Sequence, residues 1–336
     1  MPDRLPLPGF VNAHSHAFQR ALRGRVEGGD FWEWREGMLA EAGRLTPEGV
    51  RGGYAATYRE MLAAGYTAVG EFHYVGLPEA EAAAAAAREA GIELVLLLAA
   101  YGRGGLERFR QASPAAYLDD VERLRATGHR VGLAPHSVRA CPRDWLEEVG
   151  RYAEREGLVV HVHACEQPRE VEECLAEHGL RPIELLAETG CLGPRTTVVH
   201  ATHADARELD LLAESGARVC LCPTTEANLG DGFPPLTGLL ERGIPLCVGS
   251  DSNVRIDPLE ELRELEGTVR RQSLRRNVVP PARLLEIGSA GGAAALGLDR
   301  WPGIEVDLAH DSLRGVAPED VPAALVHGCG ADVVAG

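Results

Sequence analysis

From residue 9 to about residue 270, short apolar runs alternate with longer segments of helical period. The runs are rich in Val, Leu and Ile and are nearly continuous rather than alternating, the pattern of strands buried on both faces of a parallel sheet. Eight are predicted: Gly9–Ala13, Thr67–Phe72, Ile92–Ala99, Val131–Pro135, Leu158–His163, Thr197–His200, Ala217–Cys222 and Leu246–Gly249. Between them the apolar spacing predicts helices over Pro47–Ala64, Glu79–Ala90, Pro114–Ala126, Arg143–Glu156, Pro182–Thr189, Ala206–Ser215, Pro235–Arg242 and Pro258–Arg270. Several of these end at a glycine, where a helix C-terminus favours a left-handed residue.

Strands alternating with helices give an α/β fold, either a closed (β/α)8 barrel or an open doubly wound sheet. The polar residues decide for the barrel. They cluster at the C-terminal ends of many different strands, which is where a barrel gathers its active site. Beyond residue 275 the pattern changes. Pro280–Leu298 reads as one more helix, interrupted at Gly291–Gly292, and Ile304–Leu308 and Ala323–Val326 read as short strands. The expected organisation is a barrel over residues 8–298, with residues 1–7 and 299–336 as the remnant of a small β domain.

The strand ends carry the chemistry. The first strand runs into His14-Ser-His16, and alternate strand residues share a face, so two imidazoles point the same way. The fifth strand ends in His161-Val-His163-Ala-Cys-Glu166, the sixth in His200-Ala-Thr-His203 and the eighth in Asp251. Each alone has an ordinary reading as a strand-end cap or a satisfied core group. Together they converge on one barrel mouth. His14, His16, His163 and Asp251 make a donor set of three nitrogens and one oxygen that suits Zn2+, with Fe2+ or Co2+ as alternatives, one ion per chain. Such an ion lowers the pKa of water toward about 7. The catalytic candidates are then Glu166, which would carry a proton from water to a leaving nitrogen, His200, which would stabilise developing charge, and Asp251. His161 is expected one layer deeper, bracing the site. His203 is read as a loop cap, and Cys220 and Cys222 as packing residues. Glu226–Gly232 is turn-rich and reads either as a mobile lid or as an ordinary loop with Glu226 solvated.

Composition narrows the chemistry further. All 34 basic residues are arginine, so Schiff-base lysines, a lysine phosphate loop and a carboxylated-lysine metal bridge are excluded. Fifty acidic residues leave a net charge of −16, which argues against nucleic-acid binding and means that an anionic substrate needs local arginines. The eight cysteines form no C-x-x-C pair and read as reduced, buried thiols of a cytoplasmic protein. Met1–Phe10 has no apolar core of a signal peptide, and no run reaches the ~18 apolar residues of a membrane span.

The His14-x-His16 pair, the later His163, His200 and Asp251, and the step from His163 to Glu166 resemble the amidohydrolase superfamily, and within it the single-metal deaminases. The segments His14-Ser-His-Ala-Phe-Gln19, Phe31-Trp-Glu-Trp-Arg35, Gly70-Glu-Phe-His-Tyr74, His136-Ser-Val-Arg139, His200-Ala-Thr-His-Ala-Asp205 and Thr225-Glu-Ala-Asn-Leu-Gly-Asp-Gly232 are similar to the branch that deiminates N-formimino-L-glutamate in histidine degradation. The resemblance implies that Arg35 and Tyr74 hold substrate carboxylates and that Gln19, His136 and Arg139 line the same pocket. It implies a metal-dependent hydrolase of linear amidines, a dianionic small-molecule substrate and a homodimer. The alternatives are a related deaminase acting on an N-heterocycle or a guanidino acid, and a catalytically silent scaffold. The chain departs from the family at its ends, where the usual β-sandwich must be reduced.

Overall fold

The computed structural model describes residues 4–335; the first three residues of the predicted N-terminal segment and Gly336 lie outside it. Eight parallel strands lie side by side in the order in which they occur along the chain. After β1 (Arg4–Pro8) they are β2 (Phe10–Ser15), β3 (Tyr66–His73), β4 (Glu93–Ala100), β5 (Val131–Pro135), β6 (Val160–Ala164), β7 (Thr196–His200), β8 (Arg218–Leu221) and β9 (Leu246–Val248). All eight predicted strands are present, displaced by no more than two residues at their ends. Their side chains are almost all buried, as the continuous apolar runs require, because helices cover the sheet outside and side chains fill it inside.

No ladder joins β9 to β2. The ring closes through a single parallel bridge between Ser15 and Asp251, just past the two strands. There the His16 amide donates to the Asp251 carbonyl at 2.8 Å and the Asp251 amide donates to the His14 carbonyl at 3.0 Å. The fold is thus the closed barrel and not the open sheet.

The two ends of the chain meet in a second, antiparallel sheet. β1 pairs with β10 (Gly303–Asp307), and β10 with β11 (Val334–Ala335). Among the described residues the β structure of the appendage is this one three-stranded sheet. Three expectations need correction. The predicted strand at Ala323–Val326 is a helix, Val321–Gly328, its apolar residues packed on the barrel's outer layer. The long helix predicted over Pro280–Leu298 is divided into Pro281–Glu286, a π turn at Ile287–Gly291 and Gly292–Ala295. Gly291 and Gly292 lie against the Leu246 and Val11 carbonyls, with no room for a side chain. The turn-rich segment before Gly232 includes a short helix, Pro223–Leu229, and Glu226 on it is buried rather than solvated. Two helices are additional to the predicted ones. Phe31–Ala42 is capped by Asp30, whose carboxylate accepts from the Trp32 and Glu33 amides, and Pro168–His178 follows β6.

All eight cysteines are buried with free thiols. Among the described residues no helix is long and apolar enough to cross a membrane.

Closure depends on the absence of a side chain at Gly249. A Cβ there would stand 2.6 Å from the His14 carbonyl oxygen and 2.9 Å from the His14 Cβ. Gly249→Ala should therefore destabilise the protein by about 1–3 kcal/mol through overpacking. The check is urea unfolding, in which the midpoint falls and the slope is unchanged.

Candidate active site

His14 and His16 emerge from β2 on one face with their rings 4.8 Å apart, as strand alternation predicts. His163 near the end of β6 and Asp251 beyond β9 complete a group whose donor atoms all lie within 4.8 Å of one another. His163 Nε2 stands 3.0 Å from His14 Nε2 and 3.4 Å from His16 Nε2. Asp251 Oδ1 lies 3.2 Å from His14 Nε2 and 3.3 Å from His16 Nε2. The tautomers of two rings follow from their partners. His16 Nδ1 donates to the Phe72 carbonyl at 2.9 Å, and His163 Nδ1 to the His136 carbonyl at 3.0 Å. Their Nε2 atoms therefore present lone pairs to each other and to His14.

Burial lowers the pKa of all three histidines, that of His14 to about 3, and keeps them neutral. Burial also opposes the charge of Asp251, but the His14 hydrogen bond and the neighbouring imidazoles outweigh it and hold the carboxyl below its ordinary range. Three neutral imidazoles and one carboxylate facing a common point cannot satisfy one another by hydrogen bonding. They fit a divalent cation, which needs deprotonated ligands of this kind.

Glu166 and His200 flank this group. His200, in the left-handed region at φ 74°, turns its Nδ1 onto the Glu226 carboxylate at 3.2 Å. The same carboxylate oxygen accepts from the Cys222 amide at 2.9 Å. His200 Nε2 has no hydrogen-bond partner and points toward Glu166 Oε1 at 3.6 Å. Burial disfavours charge on His200, but Glu166, Glu226 and Asp251 together raise its pKa to about 10. Burial pushes Glu166 up to about 7, against the pull of His200 and Arg139. A buried carboxyl near neutrality is suited to accepting a proton and returning it.

The remaining predicted residues come together on one cavity. Gln19, Arg35, Tyr74, His136 and Arg139 line it with His16, His163, Glu166 and Asp251. His14 and His200 are fully buried and are not among its lining residues. Gln19 Nε2 donates to the Tyr74 hydroxyl at 3.0 Å. The Arg139 guanidinium lies 3.6 Å from Glu166 and 3.9 Å from Glu170, beyond hydrogen-bonding distance, and its Nε has no partner. Arg35 reaches only Glu36, at 3.6 Å. Trp32 carries Arg139 and Arg169 over its ring rather than Arg35. His161 is buried one layer down and donates to the Ala295 carbonyl, and His203 donates to the Asp231 carbonyl.

Three groups escaped the sequence reading. Glu226 orients His200; its place in the first turn of a helix opened by Pro223 was a signal for order there. Glu71, fully buried in β3, accepts from the Ala17 amide and the Ser15 hydroxyl and so fixes the turn that carries His16. Tyr101 and Arg103 line the cavity just past β4. The strand-end rule applied to four other strands would have found them.

The amidohydrolase family model matches residues 6–306. The chain is 42% identical over 327 residues to the formimidoylglutamate deiminase of Pseudomonas aeruginosa, covering 87% of this chain and 72% of that protein. It is 32% identical over 331 residues to a 5-methylthioadenosine/S-adenosylhomocysteine deaminase of Haloarcula marismortui, covering 96% and 75%. Among solved structures, an adenosine deaminase from Xanthomonas campestris with bound zinc superimposes with a TM-score of 0.90 at 26% identity, covering 99% of this chain and 78% of that one. An amidohydrolase from Brucella melitensis gives 0.86 at 33%, covering 98% and 84%.

The donor set predicts about one divalent ion per chain, retained on gel filtration. His163→Ala should leave the fold intact by circular dichroism and cut metal content severalfold. Stripping the ion with a chelator should lower Tm, because ligand binding to the native state alone stabilises it. Elemental analysis and a thermal scan check both.

Proposed function

The chain belongs to the amidohydrolase family, and we propose that it is a Zn2+-dependent deiminase that hydrolyses N-formimino-L-glutamate to N-formyl-L-glutamate and ammonia, a step of histidine degradation. One observation carries the choice of substrate. Two arginines, Arg35 and Arg139, stand at the cavity beside Glu166, and neither guanidinium makes a hydrogen bond within the protein. Unspent guanidinium groups suit a substrate with two carboxylates, which each can hold in bidentate fashion.

His14, His16, His163 and Asp251 would hold the ion, whose role when bound is to acidify water and supply positive charge. Glu166 takes a proton from the attacking water as oxygen bonds to the formimino carbon. It returns that proton to the imino nitrogen, and as the adduct collapses the proton of its new hydroxyl follows by way of Glu166 to the same nitrogen, so that NH3 leaves as the formyl C=O forms. His200 holds its charge between Glu226 and Glu166 and offers Nε2–H to the attacking oxygen as its protons are withdrawn. Tyr74 and His136 pack on His16 and His163, and the Tyr74 hydroxyl is bonded to Gln19 and Met38, so the carboxylates fall to the arginines rather than to Tyr74, and their binding sets the formimino carbon in place.

A second reading has support from the adenine-type deaminases among the relatives. 5-Methylthioadenosine and 5'-deoxyadenosine have no carboxylate to offer either guanidinium, and S-adenosylhomocysteine has one, whereas formiminoglutamate has two.

Purified, zinc-loaded protein should release ammonia from N-formimino-L-glutamate. Arg35→Ala should raise KM by about 10- to 100-fold, the loss of one charge-assisted hydrogen-bonded contact. Faster turnover of 5-methylthioadenosine, unaffected by that substitution, would replace this reading by the second.

Glu166→Gln should keep the metal and lower kcat by about 100- to 10,000-fold. Near-normal turnover in that variant would remove Glu166 from the proton transfer.

A further inference from the structure

Tyr101 occupies the first position after β4, at the mouth of the barrel. Its backbone is fixed on both sides by Gln111, whose side-chain oxygen accepts from the Tyr101 amide at 3.0 Å and whose own amide donates to the Tyr101 carbonyl at 3.1 Å. Its ring packs on His136 at 4.5 Å between centroids, on Phe109 at 5.5 Å and on Tyr74 at 5.9 Å. Gly105, at φ +56°, closes the remaining side: a Cβ there would stand 3.1 Å from the Tyr101 Cε1. The ring is therefore held in one orientation by four neighbours.

Its hydroxyl is not used by the protein. Of the seven tyrosines, those at 54, 74, 117 and 152 hydrogen-bond through the phenol oxygen, and those at 58 and 66 are sealed in the core. Tyr101 alone lines the cavity with a phenol that bonds to no described residue. Burial raises its pKa, while Arg139 and Arg35 act in the opposite sense, so it remains a neutral O–H donor with two cations nearby. A donor fixed beside two guanidinium groups that make ion pairs but no hydrogen bond to the described residues is suited to an anion.

The depth of the anion follows from ring order. His136 packs on His163 at 4.8 Å, and Tyr74 on His16 at 5.3 Å. Tyr101 packs on His136 and Tyr74 but on none of the three histidines that face the metal position, so it stands one ring farther out. In an N-formimino amino acid the α-carboxylate carbon is three bonds from the formimino carbon, and a side-chain carboxylate reaches farther.

We propose that Tyr101 contacts the substrate and determines its specificity, its hydroxyl donating to the carboxylate farther from the formimino carbon. This rests on the formiminoglutamate reading above. It adds to the charge selection made by the arginines, since a phenol donor forms a stronger, charge-assisted hydrogen bond to a carboxylate than to the amide oxygen of a neutral side chain of the same size.

The test is Tyr101→Phe, which keeps the ring packing and removes only the hydroxyl. The measurement is kcat/KM for N-formimino-L-glutamate and for its neutral side-chain amide, N-formimino-L-glutamine, with wild type and variant. The wild-type preference for the dianion should fall by about 3- to 10-fold in the variant, through KM. A preference that survives in a folded variant overturns the role of Tyr101 and leaves the function standing. No ammonia from either compound with the metal-loaded wild type overturns the function and the inference with it.

Discussion

Everything at the mouth of this barrel depends on how its first and last strands meet. His14 and His16 leave one side of the seam and Asp251 the other. Two backbone hydrogen bonds, His16 to Asp251 and Asp251 to His14, are what the strands share there. Buried polar side chains reinforce them. Asn12 Nδ2 donates to the Ser250 hydroxyl, Ser250 donates to Asn253 Oδ1, and Asn253 Nδ2 donates both to Ser15 and to the Asp251 carbonyl. Each donor finds an acceptor, so the network costs little to bury and fixes the register of the seam. A one-residue slip would turn the imidazoles away from the barrel mouth. The site and the closure of the fold are thus the same set of contacts, and the small residues Gly249 and Ser250 are required by both.

The strain in the backbone falls at the same level. His200, Ala201, Cys165, Asp251 and Asn253 are non-glycine residues at positive φ, and all lie just past β6, β7 or β9. Such conformations cost of order 1–3 kcal/mol each where nothing compensates. Here they let a chain leaving a parallel strand turn its side chain inward over the barrel instead of out to the next helix. His200 illustrates the compensation: its left-handed turn is held by the bond from Nδ1 to Glu226, itself anchored on the Cys222 amide. Glu226, His200 and Glu166 then form a line of acid, base and acid, in which the charge on the middle member is sustained by both ends.

The strands were legible because a parallel barrel asks for unbroken apolar runs, and Ile92–Ala99 or Thr67–Phe72 cannot be mistaken for surface. The metal-facing group was legible because its members occupy equivalent strand ends. Helix Phe31–Ala42, which carries Arg35, was not, because its Trp and Glu residues do not sort into one apolar stripe and its place is set by tertiary packing at the mouth. The strand expected at Ala323–Val326 failed for the complementary reason: a short apolar run fits a strand or a buried helix equally until its neighbours are known. Glu226 was hidden by its surroundings of turn-forming residues. Tyr101 was hidden by its type, since an aromatic residue beside an apolar strand reads as core.

The charge balance ties these observations together. A chain of net charge −16 repels anions at a distance, yet the cavity gathers Arg35, Arg103 and Arg139 beside Glu166 and Asp251. Arginine is the only base available to it, and a guanidinium does not lose its proton when buried, as an ammonium can. Holding Arg139 largely buried without a hydrogen-bonded partner costs stability. It is held in place indirectly: Arg103 donates to the Arg139 and Val138 carbonyls and is itself gripped by both oxygens of Glu177. One salt-bridged arginine thus fixes the backbone of another, whose guanidinium faces Glu166 and Glu170 across the cavity at distances too long for hydrogen bonds. The position of that second charge is set by its backbone and by the Trp32 ring rather than by a direct bidentate partner.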